Sequence, residues 1–296
     1  MRFSSLALAL SMTSLPASAE VPAVVTDIAP TQSLVAAVMQ GLGQPVQLIG
    51  AAADPHHFQL RPGEARSLAR ADAVFWIGEG LTPWLAGVVA ATAGSALSVE
   101  LSEAPGVTHR PPLFAGDGKD DHGHDHGAED PHVWLDPANA RAMTREIAAR
   151  LSALDPGNAA SYAANADAAI AGIDGAEAAA RDILTPYRSE RLVVWHDAYA
   201  HFAAAFDVTI VAAIADSDAA TPGAARLAAL RGMIGTEGAA CIFDEPQHSG
   251  RAVTALAADI GVALGALDPM GAGDGGAPGE VILGLARAIE ACLAPH

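Results

Sequence analysis

The chain has 296 residues, 51% of them hydrophobic, and a net charge of −18 from 34 acidic against 16 basic side chains. That balance argues against nucleic acid or an anionic membrane surface as partner, and suits a protein tolerant of cations. Length alone allows two domains or one large one.

The N-terminus pairs Arg2 with an apolar run from Phe3 to Leu15, closed by Pro16-Ala17-Ser18-Ala19. A single positive charge, a short apolar run and a small-x-small ending describe a secretory signal peptide over 1–19, cleaved after Ala19. The apolar run is too short for a membrane span, which needs about 20 residues. From Glu20 the strand–helix alternation begins. Ala23 to Ile28 reads as a buried strand, Pro30 to Gln40 as a helix, Val46 to Ile49 as a strand, Glu64 to Arg70 as a helix and Ala73 to Ile77 as a strand. This rhythm is that of a parallel α/β sheet. Between Thr108 and His126 the pattern gives way to Pro, Gly, Asp and His, which reads as a loop.

A helix resumes over Pro137 to Leu151, and a longer alanine-rich one runs from Ala159 to Leu184, about 40 Å at 1.5 Å per residue. Alternation then restarts with strands at Leu192–Trp195, Thr209–Ala212, Ala240–Phe243 and Val262–Leu267. Helices between and after them are expected at Ala198–Phe206, Ala224–Glu237, Arg251–Ile260 and Val281–Leu293. The expected organisation is an N-terminal α/β lobe over 20–155, a linker helix over 156–186 and a C-terminal α/β lobe over 187–296. Both cysteines, Cys241 and Cys292, fall in the last part. In an exported protein such a pair reads as a disulfide, which would stabilise the fold by roughly 2–4 kcal/mol.

Three histidines stand where a strand gives way to a loop or helix: His56 in Asp54-Pro55-His56-His57-Phe58, His132 in Asp130-Pro131-His132-Val133-Trp134, and His196 in Trp195-His196-Asp197. Asp268 follows the last strand in the same way. Open α/β sheets bind ligands beyond the carboxyl ends of their strands, so these four groups can converge. Three imidazoles and one carboxylate suit tetrahedral Zn²⁺, whereas manganese prefers more oxygen. Phe58, Trp134 and Trp195 are the expected walls of the site, with Asp136 and Asp197 as acceptors that orient the imidazoles. His57, His109, His201, His248 and His296 read as structural histidines. His122, His124 and His126, beside Asp120, Asp121 and Asp125 in a glycine-broken stretch (the loop 115–130), read as a loose collector of metal ions. A flexible loop loses entropy on binding, so its affinity falls below that of a preformed cage.

Pro55-His56-x-Phe58-x-Leu60-Arg61-Pro62, His132-x-Trp134-Leu135-Asp136-Pro137, His196-Asp197-Ala198-Tyr199-x-x-Phe202, Glu245-Pro246-Gln247 and Leu267-Asp268-Pro269 follow one another along the chain. In this order they resemble the zinc-specific periplasmic substrate-binding proteins of bacterial ABC importers. The resemblance implies two similar α/β lobes with central parallel sheets, joined by one long rigid helix, with metal bound in the cleft between them. It implies high-affinity Zn²⁺ capture in the periplasm and delivery to a membrane permease. The ligands it implies are His56, His132, His196 and Asp268. His196 matches the zinc branch, where manganese-type relatives carry glutamate, and Cys241–Cys292 matches the disulfide of zinc members. Pro55 stands where some members offer a glutamate ligand, and the His-rich loop is short beside theirs. A periplasmic zinc chaperone acting through that loop is a further candidate partner.

Two other functions compete. One is manganese or iron uptake on the same fold. The other is a zinc hydrolase with Glu245 as general base, but the chain has no His-Glu-x-x-His helix, and a carboxylate in the fourth position would close the shell that a catalytic zinc keeps open. A non-enzymatic binding protein is therefore the expected class.

Overall fold

The computed structural model describes residues 20–50, 53–56, 58–114, 129–215, 223–248, 250–271 and 276–294. The expected signal peptide, His57, the collector loop with His122, His124 and His126, and His296 lie outside the described residues.

Two four-stranded parallel sheets form the frame. The first contains β1 (Val24–Thr26), β2 (Val46–Gln47), β3 (Ala73–Trp76) and β4 (Leu97–Glu100), in the order β2-β1-β3-β4. Around it lie α1 (Ala29–Val38), α2 (Pro62–Leu68), α3 (Leu85–Thr92) and α4 (Pro137–Leu154). The 26-residue α5 (Ala159–Leu184) follows. The second sheet contains β5 (Arg191–Val194), β6 (Thr209–Ala213), β7 (Cys241–Asp244) and β8 (Ala263–Ala266), in the order β6-β5-β7-β8. Its helices are α6 (Ala200–Phe206), α7 (Ala224–Glu237), α8 (Arg251–Ile260) and α9 (Glu280–Leu293). The molecule is thus two α/β lobes of the same strand order joined through one long helix.

The central strands are continuous apolar runs because helices cover both faces of a parallel sheet. Every residue of β1 and β3 is buried. β4 alternates, with only Val99 buried, and β8 is a largely exposed Ala-Leu-Gly-Ala edge. Asp27, directly after β1, is fully buried and accepts hydrogen bonds from the amides of Ile28 (2.7 Å) and Ile77 (2.8 Å), which ties the end of β1 to the end of β3. Burial raises its pKa to about 6 despite these hydrogen bonds.

α5 buries Tyr162, Ala166, Ala169, Ile173, Ala176, Ala180 and Leu184, a stripe at helical spacing rich in alanine. Small side chains let it pack against α1 and α4 of the first lobe and α9 of the second. The turn before α9 comes so close that a Cβ on Gly279 would sit 2.8 Å from the Ala176 side chain, and its φ of +92° already favours glycine. The Cys241–Cys292 disulfide staples α9 to β7 with a Cα–Cα distance of 6.3 Å.

Two elements have no counterpart in the sequence reading. α3 follows a turn-rich Gly-Glu-Gly-Leu-Thr-Pro stretch, and β4 is a four-residue edge strand with one buried side chain. Neither carries the long apolar period that makes an element visible.

Candidate metal centre

The site grows out of the register of the second sheet. β5 and β7 are neighbours that pair Val193 with Ile242, at the point where the strand order reverses. Three residues further along each strand come His196 and Glu245, so the parallel register carries them to the same place. There the His196 Nδ1–Glu245 Oε1 distance is 2.8 Å, and the Tyr199 hydroxyl donates to the same oxygen at 2.8 Å. Glu245 is 2% exposed. As a carboxylate it accepts, so the proton lies on Nδ1 and the lone pair on His196 Nε2.

His132 is held by a local device of the same kind. Asp130 Oδ1 accepts from the His132 amide at 3.0 Å and lies 2.6 Å from its Nδ1. Oδ2 of Asp130 accepts from the Ala200 amide at 3.0 Å, which fastens this turn to the other lobe. Burial alone would raise the Asp130 carboxyl, but the electrostatic pull and hydrogen bonds of the neighbouring His132 outweigh it and hold the pKa below the ordinary value. Asp130 is therefore ionised and fixes the proton of His132 on Nδ1 as well. After His132 comes a helical turn, Val133–Leu135, then Asp136, which caps α4 by accepting from the Ala138 amide. Trp134 lies against His132 with ring centroids 5.1 Å apart and donates across the lobes to the Pro269 carbonyl at 2.8 Å.

The two imidazoles point Nε2 at Nε2, 3.4 Å apart. With both Nδ1 atoms donating to carboxylates, two lone pairs face each other, an arrangement that favours a cation between them. Ligand nitrogens of a tetrahedral zinc with bonds of about 2.0–2.1 Å stand about 3.3 Å apart, and their ring centroids about 5.2 Å. The His132 and His196 centroids are 5.2 Å apart. The His56 ring lies 6.1 Å from that of His132, about 0.9 Å beyond the same geometry. His56 sits in the other Asp-Pro-His of the chain, where Asp54 Oδ1 accepts from its amide at 2.9 Å and the Trp84 indole holds the Pro55 carbonyl at 3.0 Å.

A cavity of about 20 Å³ opens here, lined by Asp54, Pro55, His132, His196, Glu245, Gln247, His248, Pro269 and Met270. That volume has room for a water or a bare ion. Asp268 follows β8 beside the lining residues Pro269 and Met270, and its Oδ1 accepts from the Gln247 amide nitrogen at 2.9 Å and the Met270 amide at 3.0 Å.

The family of periplasmic zinc-uptake complex component A matches residues 24–288. The chain belongs to this family. A high-affinity zinc uptake system protein ZnuA of Paracoccus denitrificans (strain Pd 1222) is 40% identical, with 97% of each chain covered. That of Brucella abortus (strain 2308) is 31% identical over 91% of each. Among solved structures, a crystal structure of ZnuA superposes with a TM-score of 0.78 at 25% identity, covering 92% of this chain and 100% of that one. A zinc-bound deletion mutant of ZnuA gives 0.78 at 25%, covering 93% and 99%.

Within this family frame, the orienting acceptors differ from those expected. Asp197 accepts from the amides of Leu113 and Phe114, at 3.1 and 2.6 Å, and so anchors the stem of the 115–130 loop; Asp136 caps α4. The carboxylates on the imidazoles are Asp130 and Glu245 instead. The first had a signal, the Asp-Pro-His tripeptide that occurs at both 54–56 and 130–132. Glu245 lies 49 residues from His196 and is placed there only by strand pairing. Of the expected walls, Trp134 lies on His132, whereas Phe58 packs on Trp84 at 5.9 Å and Trp195 stacks on His248 at 4.9 Å. His201, read as structural, bonds the Asp130 carbonyl at 3.2 Å, and burial lowers its pKa.

Proposed function

We propose that this chain captures Zn²⁺ in the periplasm and delivers it to the membrane permease of an ABC importer, with His56, His132, His196 and Asp268 as ligands. One observation carries the reading: two buried imidazoles, each with Nδ1 bonded to a carboxylate, face each other at 3.4 Å, the edge of a zinc tetrahedron. Zinc is the ion the relatives' names state. A donor set of three nitrogens and one oxygen favours zinc over manganese. Asp268, beside the cavity, closes the shell, and a closed shell holds an ion without leaving a position for catalytic water. The role is binding for transport, with Glu245 as the partner of His196 rather than a general base. Export through a signal peptide over 1–19 places the site where the importer collects its cargo. The collector loop raises the local supply of zinc, from solution or from a periplasmic chaperone, beside the stem that Asp197 anchors.

The test is direct. Protein stripped of metal, offered one equivalent of zinc and dialysed retains one equivalent, and crystals of that complex give one anomalous peak at the zinc edge between His56, His132 and His196. Loss of all zinc on dialysis, or a peak elsewhere, ends the proposal.

A further inference from the structure

Beyond the ligands above, His248 lies where a structural histidine would not. It sits four residues past β7 on the cavity wall. Its ring lies flat on the Trp195 indole, 18° from parallel with centroids 4.9 Å apart, which fixes its plane. It meets His196 edge-on at 6.2 Å. Its Nε2 stands 3.8 Å from Glu245 Oε2, the oxygen opposite the one that takes His196 and Tyr199. That is too far for a hydrogen bond and about 0.5 Å beyond the spacing of two ligands on one tetrahedral zinc, which a small turn of the carboxylate closes. His196, Glu245 and His248 place one potential ligand atom each within 4.8 Å of one another. Of these, His248 is the most open to solvent, with 14% of its side chain exposed against 8% for His196 and 2% for Glu245.

We propose that His248 Nε2 and Glu245 Oε2 form a second, weaker zinc position on the solvent side of the three-histidine site, a staging point through which the ion enters and leaves. The proposal rests on the reading of that site as zinc-binding. Two protein ligands and water hold a zinc ion loosely, and the Trp195 stack keeps the imidazole aimed at it. An ion there lies in the cavity that His132 and His196 also line, so it passes between the two positions without leaving the pocket. Glu245 joins the two positions, with one oxygen on the proton of His196 and the other toward the staging ion.

The test uses the chain with His122, His124 and His126 changed to Ser, so that the loop contributes no ligand, and the same protein carrying His248→Phe. Phenylalanine keeps the stack on Trp195 and removes the donor. The parent is expected to take up two equivalents of zinc in equilibrium dialysis, the second at least a hundredfold weaker. Crystals soaked in excess zinc should show a second anomalous peak between His248 and Glu245. In the Phe variant the second equivalent and peak disappear, the tight affinity changes less than threefold, and release to a chelator in stopped flow slows about tenfold. If both equivalents and the release rate survive the change while tight binding is intact, the staging site is refuted and the main site stands. A tight affinity lowered more than tenfold also refutes it, by making His248 a ligand of the main site. A parent without any tight equivalent refutes the three-histidine reading, and this inference with it.

Discussion

Replacing Glu245 by Gln isolates what the buried carboxylate does for the metal. The amide keeps an oxygen that can accept from His196 Nδ1 and the Tyr199 hydroxyl, both at 2.8 Å, and the volume is unchanged. What is lost is the charge. A hydrogen bond to a charged group contributes about 1.5–3 kcal/mol and a neutral one about 0.5–1.5, so the ring should lose about 1–1.5 kcal/mol of its support as a donor. In affinity that is about tenfold, the lower end of the range for residues behind metal-bound histidines. Competition against a chelator of known affinity at pH 7.5 measures it, with thermal unfolding of the metal-free protein as control. The expected result is zinc binding weakened about tenfold with the metal-free melting temperature lowered by only a few degrees. Affinity within twofold of the starting protein would mean that Glu245 merely packs beside His196. A loss of zinc only in proportion to a large fall in stability would refute the argument as well.

Other consequences can be checked separately. His132→Ala should weaken zinc at least a hundredfold, whereas deleting Asp120 to Gly127 should cost less than fivefold; equal losses in the same titration would erase the division between fixed site and collector loop. Zinc affinity should fall as pH drops from 7.5 to 5, because protons compete for imidazole nitrogen; a flat affinity over that range would contradict histidine ligation. Asp27 has a folded pKa raised from 3.8 to about 6, so between those values the native state keeps a proton the unfolded chain has released, and stability falls as pH rises through that window, by about 3 kcal/mol. Asp27→Asn removes this dependence. Urea unfolding at pH 4 and pH 7 should show the starting protein gaining roughly 2 kcal/mol on the variant at the acid end, and a constant difference would refute the assignment.

The long apolar and alternating segments were legible because parallel strands and their covering helices write continuous patterns. β1, β3, β5, β7 and the 26-residue α5 all fall within or close to the ranges read from the sequence. The four candidate ligands were visible as histidines and an aspartate beyond strand ends, two of them inside Asp-Pro-His turns that build their own hydrogen bonds locally. Groups created by pairing between distant segments were not legible. Glu245 reaches His196 through the register of β5 on β7, Asp130 reaches the Ala200 amide across the lobes, and His248 comes to the cavity wall through its stack on Trp195. No local pattern marks such contacts, so a glutamate that orients a ligand reads, from sequence alone, as a turn residue.

The way the two lobes meet bears on how an ion can come and go. His132 and His196 belong to different lobes, yet the links between those lobes do not involve the metal: Asp130 to the Ala200 amide, Trp134 to the Pro269 carbonyl, and Asp197 to the stem of the loop. α5 packs on helices of both lobes with close alanine contacts. Opening the cleft as a hinge would break the two buried links, from Asp130 and from Trp134, at a cost of about 1–3 kcal/mol for each group left without a partner. The pair of nitrogens at 3.4 Å is already spaced for zinc, whereas the His56 ring stands about 0.9 Å too far out and is carried by a segment with β2 behind it and α2 ahead. The smaller movement lies with His56. On the proposed ligand set, capture brings His56 onto a rigid pair, and exchange with the outer position at His248 proceeds without separating the lobes.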